Sequence, residues 1–358
     1  MADKYPFKKL PVPNTLTILP TYRCSAACKD CCFGSNPSIQ GRIPQDRILK
    51  YIKDASMMEI KLIVFSGGEA FLLNEDLDEA ISLASSLGMK TRIVSNGYWA
   101  TSEEIALKRL RKLRDNGLNE INFSTGDFHL EFVPIEKVIN GILAAFKLCM
   151  KCALMIELHG DRKFTQANIF KDSRLGTALE NSINKELFKV LESPWMPIES
   201  NSKISYKGHE EFLANKNNVH GRKRCLSILS NIIVDPYENF GCCCGLTRHL
   251  TPELNIGSLR SQSMQELFDE ASEDFLKIWI FTDGPEKILS WAAEKDPTID
   301  WENKYAHTCH ACRALYSDPK VRSVIRENYE EKMVDVYFRY WLLTQFDPEN
   351  LLISQEQF

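Results

Sequence analysis

Five short runs rich in β-branched and aromatic residues alternate with longer helical patterns over the first half of the chain, and this alternation leaves few folds open. Residues 15–19, 62–66, 91–95, 120–124 and 154–158 read as strands, and 46–57, 77–86, 102–115 and 134–151 as helices between them. Such βαβ units build a parallel sheet covered by helices. Each of the first four strands runs into small or polar residues, and parallel α/β folds place their sites at the carboxyl ends of strands. Segment 160–224 carries no comparable pattern. Further on, 231–245 (NIIVDPYENFGCCCG) reads as a β-hairpin with its turn at 235–239, followed by a helix over 263–279 and an aromatic-rich helical tail from 320.

The length of 358 residues, with 44% hydrophobic and 26% charged side chains, suits one large domain and a smaller one. No apolar run reaches the ~18 residues a membrane span needs, and the first 13 residues lack the apolar core of a secretion signal. A cytoplasmic protein without a membrane role is expected. The net charge of -4 gives no bulk attraction to nucleic acid, and Lys108, Arg109, Arg111, Lys112 and Arg114 read as a solvated helix face.

Twelve cysteines stand out, because in a reducing cytosol clustered thiols point to metal or redox chemistry. Cys24, Cys28 and Cys31 lie on the loop after the first strand. Three thiolates leave one iron of a 4Fe-4S cube open to a small chelating molecule. The competing readings are a zinc knuckle, which favours paired C-x-x-C hooks, and plain packing of cysteine as a small hydrophobe. Cys32, adjacent to Cys31, is expected to pack or support rather than ligate.

This C-x3-C-x2-C loop resembles the signature of the radical S-adenosylmethionine (SAM) superfamily, and the resemblance runs from about residue 15 to 157. It implies a partial (β/α)6 TIM-type barrel, an α/β fold, holding a 4Fe-4S cluster and SAM. One departure is Asp30, where the family has an aromatic residue, so that only a backbone contact to adenine is left there. Gly67-Gly68-Glu69 after the second strand matches the family's GGE motif: glycines admit a close ligand, and a carboxylate takes the amino group of the methionine moiety. Ser95 and Asn96 resemble the ribose-contacting segment, and Ser124 the serine that meets ribose or carboxylate. Asp127 and His129 are candidates for a substrate role, against a helix cap or a structural pair. Glu157 and Arg162 are expected to face the interior as cofactor contacts, whereas Cys149 and Cys152 read as packing on one helix face.

The later cysteines, Cys225, Cys242 to Cys244, Cys309 and Cys312, resemble the twitch or truncated SPASM extension, which implies one auxiliary 4Fe-4S cluster on a β-hairpin plus helix. Cys225, Cys243, Cys309 and Cys312 are the expected ligands; strand alternation through the triple run would turn Cys243 away from Cys242 and Cys244. A zinc ribbon is the alternative. The expected layout is a barrel over 1–224, the cluster extension over 225–319 and a helical tail over 320–358.

The resemblance implies cleavage of SAM to a 5'-deoxyadenosyl radical, fed by a one-electron reductant such as flavodoxin or ferredoxin. A ribosomally made peptide is the expected substrate, changed by crosslinking, thioether formation, oxidation or epimerisation. With about 14 residues before the first strand, peptide recognition would fall to a sheet edge or to 160–224. Dehydrogenation or epimerisation of a sugar or cyclitol is the enzymatic alternative, and a non-catalytic iron-sulfur or zinc protein the alternative of another class.

Overall fold

The computed structural model describes residues 13–199, 202–246 and 248–346. The chain divides into two compact units, one built from 16–209 with 234–238, the other from the described parts of the segments up to 15, 210–233 and 239 onward.

The first unit holds six strands: β1 (Thr15–Ile18), β2 (Leu62–Phe65), β3 (Lys90–Ser95), β4 (Glu120–Thr125), β5 (Lys151–Leu158) and β6 (Phe188–Pro194). They lie in the order β6-β5-β4-β3-β2-β1, and the four successive pairs from β2 to β6 are parallel. This is the parallel-dominated α/β sheet of a partial barrel. The crossover helices are α1 (Gln45–Met57), α2 (Glu75–Ser86), α3 (Glu103–Asp115), the single turn α4 (Asp127–Leu130) and α5 (Ile135–Lys147).

Local chemistry sets these elements. Ile48, Tyr51, Ile52 and Ala55 of α1 recur at helical spacing and are buried. Ser102 accepts from the Ile105 N–H at the start of α3, with Glu103 and Glu104 in its first turn and Lys112 and Arg114 in its last, so the cap and the helix dipole are both complemented. Arg109 and Lys112 are not merely solvated: both pair with buried Asp78 of α2, at 2.5 and 2.9 Å. Gly141 lets α5 lie on β4, since a Cβ there would run into the Phe123 ring.

α5 stops at Lys147, short of the expected 151, because the chain turns through Cys149 (φ 50°) into β5. Cys149 is therefore exposed in a turn, and Cys152 lies buried in β5 opposite Ile121, so the two do not share a helix face. The chief addition is β6, preceded by α6 (Gln166–Ile169), α7 (Ser173–Ala178) and α8 (Ser182–Leu187). These helices are too short to print a 3.6-residue period. Within the same unit the 234–238 stretch is anchored by Glu238, which accepts from Arg47 Nε at 2.7 Å and from the Tyr51 hydroxyl.

The second unit carries β7 (Asn231–Val234), β8 (Asn239–Gly241) and β9 (Asn255–Ser258), with β8 and β9 antiparallel. Six helices follow: α9 (Met264–Ala271), α10 (Phe275–Asp283), α11 (Pro285–Lys295), α12 (Thr308–Ser317), α13 (Pro319–Asn328) and α14 (Glu330–Phe346). The expected helix over 263–279 breaks after Ala271 because Asp274 caps a new one, accepting from the Lys277 N–H. Gly284 (φ 86°) and Pro285 at N1 separate α10 from α11.

This unit takes in 210–224 as well: the Ala214 N–H donates to the Tyr305 carbonyl, and the Asn303 N–H to that of Ala214. The helices after 319 belong to it too. Glu331 of α14 accepts from Trp291 Nε1 at 2.8 Å and Lys295 Nζ at 2.7 Å on α11, and Arg339 pairs with Asp283 of α10. The compact units thus divide at 209/210, not 224, with the tail helices integrated; residues 347–358 of the expected tail lie outside the described residues.

Candidate active site

The carboxyl ends of the six strands carry the candidate groups of the first unit. After β1 the chain forms the cysteine loop, closed on itself by the Cys24 N–H to Asn36 carbonyl bond (3.2 Å) and by two tight turns, Cys31 N–H to Cys28 and Gly34 N–H to Cys31. The loop is stitched to the β2 exit: the Gly68 N–H donates to the Thr21 carbonyl at 2.8 Å and the Glu69 N–H to that of Arg23 at 3.0 Å. Gly67 (φ 109°) and Gly68 permit this approach, for a Cβ on either would press on the backbone of residues 19–23.

Glu69 is 1% exposed. Its carboxylate accepts from the Phe71 N–H (3.1 Å), the Asn96 N–H (3.0 Å) and the Ser95 hydroxyl (3.1 Å), tying the β2 exit to that of β3. Burial nonetheless pushes its pKa up to about 7, and the three donors only moderate the shift. The folded state therefore binds a proton that the unfolded state has released. The stability from holding that proton is fully present below the ordinary carboxyl range and is lost as pH rises to about 7. In the metal-free protein Glu69→Gln keeps a neutral group at every pH. The stability gap between wild type and variant is expected to move in the variant's favour by roughly 3 kcal/mol between pH 5 and pH 8. Urea unfolding at the two pH values measures this; an unchanged gap would mean that Glu69 titrates normally.

Asn96, also buried, directs its amide to Ser25 Oγ (3.1 Å) and to Cys24 Sγ (3.5 Å). Ser95 is fully engaged, donating to Glu69 and accepting from the Gly97 N–H and Trp99 Nε1. Both residues thus brace the cysteine loop and the β2 exit from β3. Ser124 sits half-buried near the end of β4.

The thiols influence one another. Burial raises Cys24 to about 11 and Cys28 further, and repulsion from the neighbouring thiols adds to both. Cys31 goes the other way, lowered to about 6 chiefly by a hydrogen bond from the Cys32 side chain, which gives that neighbour its supporting role.

At the exits of β4 and β5 the expected residues come together, and the geometry specifies their work. Glu157, 2% exposed, caps α4 by accepting from the Phe128 N–H (2.5 Å) and the His129 N–H, and its second oxygen stands 3.7 Å from His129 Nδ1. Gly126 (φ 137°) makes the space, because a Cβ there would overlap the Glu157 side chain. Asp127 accepts from the Lys163 (2.7 Å) and Phe164 (2.9 Å) N–H groups and lies 3.5 Å from His159 Nε2. Arg162 pairs with Glu192 of β6 at 2.8 Å. His129 and Glu157 lie close enough to the cysteine loop to act electrostatically on Cys31 and Cys28 respectively.

Two aromatic contributors escaped the sequence reading. The Phe128 ring stacks on His159 at 5.0 Å, and Trp195, just beyond β6, meets His129 edge-on at 5.7 Å. Nothing in the sequence marked Trp195, because the strand that delivers it was itself not legible.

In the second unit Cys225, Cys243, Cys309 and Cys312 are mutual neighbours. Burial raises Cys225 to about 12 and Cys309 and Cys312 well above the ordinary thiol value, and repulsion within the group adds to each shift. Cys309 and Cys312 share one face of α12, and His307 caps that helix by accepting from the Cys309 N–H at 3.0 Å. The parity expected for the triple run does not apply, because β8 ends at Gly241 and residues 242–244 continue without strand geometry. Cys242 instead hydrogen-bonds Cys243, which lowers the latter, and a Cβ at Gly245 would touch Cys243 Sγ at 3.2 Å and Cys309 Sγ at 3.6 Å.

Among the described residues no three His, Cys, Asp or Glu side chains converge on a point that would hold a single metal ion. The donor chemistry of both thiol groups fits iron-sulfur clusters, whose corners each take a separate thiolate. Also among the described residues, no helix is long and apolar enough to cross a membrane.

Comparison with known proteins agrees with this geometry. Residues 18–147 match the model of the radical SAM superfamily. Over 128 residues the chain is 27% identical to YydG of Bacillus subtilis (strain 168), named a "putative peptide biosynthesis protein"; the match spans 36% of this chain and 40% of that one. Two solved structures, native anSMEcpe with bound AdoMet and the same protein with AdoMet and the Cp18Cys peptide, align over 92% of this chain and 99% of theirs, each with a TM-score of 0.53 at 14% identity. At that identity the likeness is one of fold. The matched span runs from the end of β1 through α5 and takes in the cysteine loop, the Gly67-Gly68-Glu69 turn and the exits of β3 and β4; over it the chain is similar to the radical SAM superfamily.

Proposed function

We propose that this protein is a radical SAM enzyme that modifies a peptide, with Cys24, Cys28 and Cys31 holding a 4Fe-4S cluster and Cys225, Cys243, Cys309 and Cys312 an auxiliary one. The observation that carries the reading is the stitching of the cysteine loop to Glu69: Gly68 and Glu69 donate to the backbone of Thr21 and Arg23, one residue before Cys24. Held there, a 4Fe-4S cluster with SAM would supply the chemistry of hydrogen-atom abstraction from the substrate.

The chain's own residues bind and orient. Glu69 accepts three hydrogen bonds, which leaves an ionised carboxylate capacity for a fourth, to the amino group of the methionine moiety. Asn96 fixes Cys24, and Ser124 lies at the β4 exit where ribose or carboxylate would be met. Glu157 holds α4 and faces His129, and this imidazole beside the cysteine loop is the candidate to touch substrate. Asp127 braces the β5 exit, and Arg162 with Glu192 forms a charged pair next to it. Phe128, His159 and Trp195 form an aromatic wall beside His129 that would shield a substrate there from water.

The peptide assignment rests on the sequence relationship to YydG. A one-electron reductant such as flavodoxin or ferredoxin would feed the reaction. The test is anaerobic reconstitution with iron and sulfide, then dithionite and SAM. The wild type is expected to form 5'-deoxyadenosine, and a colourless protein with stoichiometric zinc and no nucleoside would overturn the proposal.

A further inference from the structure

Asp30 is the anomaly of the cysteine loop. It lies between Cys28 and Cys31, is 2% exposed, and takes a left-handed backbone conformation (φ 53°). A buried carboxylate needs partners, and this one finds them outside the loop. Oδ1 accepts from the N–H groups of Ile198 (2.8 Å) and Glu199 (3.0 Å), and Oδ2 from the Ser202 hydroxyl. A second tie lies beside it: Trp195 Nε1 donates to the Lys29 carbonyl at 3.1 Å. The chain that runs on from β6 is therefore pinned to the cysteine loop at Lys29 and Asp30. Its other end is fixed to β5 by the Trp195 N–H to Leu158 carbonyl bond (2.8 Å). Between these anchors stands the Trp195 ring, edge-on to His129 at 5.7 Å and 6.1 Å from Phe128.

From this arrangement we infer that Asp30 is a positioning residue that couples the cysteine loop to the 195–199 segment, so that filling the Cys24, Cys28, Cys31 site and ordering the Trp195 wall are linked. The inference rests on the proposed cluster at those cysteines. A loop whose thiols are tied to a rigid group presents Lys29 and Asp30 in one geometry, whereas a loop with free thiols samples several. The Ile198 and Glu199 amides have Asp30 as their acceptor, so they report which state holds. By linkage the effect is reciprocal: if the filled site favours the docked segment, the docked segment favours the filled site to the same factor. The wall beside His129 would then close fully only in cluster-loaded protein, the state in which a radical needs shielding.

The experiment is hydrogen exchange of peptides covering 195–199 in wild type, Asp30→Asn and Asp30→Gly, each metal-free and after reconstitution, with iron measured in every sample. Glycine removes the carboxylate without penalty for the left-handed backbone, and asparagine tolerates that backbone and keeps one acceptor oxygen. In the wild type, reconstitution is expected to slow exchange at Ile198 and Glu199 about tenfold or more; Asp30→Asn should largely preserve that response and Asp30→Gly abolish it. Asp30→Gly should also release iron to a chelator about tenfold faster. Equal protection with and without iron in the wild type, or a full response in Asp30→Gly, would overturn the coupling while leaving the radical SAM reading intact. Failure of the wild type to take up iron would instead overturn that reading. A purely structural role for Asp30 predicts lower protection in Asp30→Gly that is the same with and without iron, which also overturns the coupling.

Discussion

Changing Cys24, Cys28 and Cys31 together to alanine is expected to abolish 5'-deoxyadenosine formation while about half of the iron stays bound, because the four proposed auxiliary ligands, Cys225, Cys243, Cys309 and Cys312, would keep a complete cube of their own. The size of the effect follows from the ligand count: Cys32, the one thiol left on the loop, cannot replace three lost corners, and in the wild type it serves Cys31 as a hydrogen-bond donor. Burial raises Cys24 and Cys28, so metal binding must displace protons, and loading should weaken as pH falls. The complementary variant, Cys309→Ala with Cys312→Ala, should lose the other half of the iron and keep SAM cleavage in the absence of substrate. Iron assay and nucleoside chromatography on the two variants separate the sites. Iron lost entirely from the first variant would mean that the second group holds none.

The strands that could be read from sequence were those with an unbroken apolar run, as at 62–65, or a clean apolar alternation, as at 120–124, whose interior positions are all or nearly all buried. β6 was not legible because Phe188–Pro194 is mostly half-buried and its apolar residues neither alternate nor run together. With it went Trp195 and the partners of Asp30. The site residues were legible where backbone geometry demands a residue type, as at Gly67 and Gly68, or where chemistry demands thiols. They were less so where a side chain acts through the fold. Nothing local tells that Glu157 would cap a helix on the neighbouring strand's exit, or that Asp127 would hold the N–H groups of Lys163 and Phe164. The unit boundary at 209/210 was hidden for the same reason, since the Ala214 and Tyr305 contact that sets it joins residues far apart in sequence.

Gly68→Ala is the most damaging single substitution expected outside the cysteines. A Cβ at this position would overlap the carbonyl of Arg23 and the carbonyl carbon of Tyr22, and backbone atoms cannot rotate away as a side chain can. Relief requires the Arg23 peptide to move, and with it Cys24, the next residue, away from Glu69. Two hydrogen bonds stretch in that displacement, from the Gly68 N–H to Thr21 and from the Glu69 N–H to Arg23. The expected cost is about 3 kcal/mol or more, at the far end of point substitutions, with a fall in the unfolding midpoint of roughly 10 °C. SAM affinity should fall at least tenfold even in protein that still loads iron, because the register between Cys24 and the Glu69 carboxylate is lost. Gly176→Ala on α7 is the control: no atom lies within 4 Å of its added Cβ, and a helical glycine replaced by alanine gains up to ~1 kcal/mol. Unfolding curves and equilibrium binding of SAM to the reconstituted variants decide the matter. Unchanged SAM affinity in folded, iron-loaded Gly68→Ala would mean that the close approach of β2 to the cysteine loop serves stability alone.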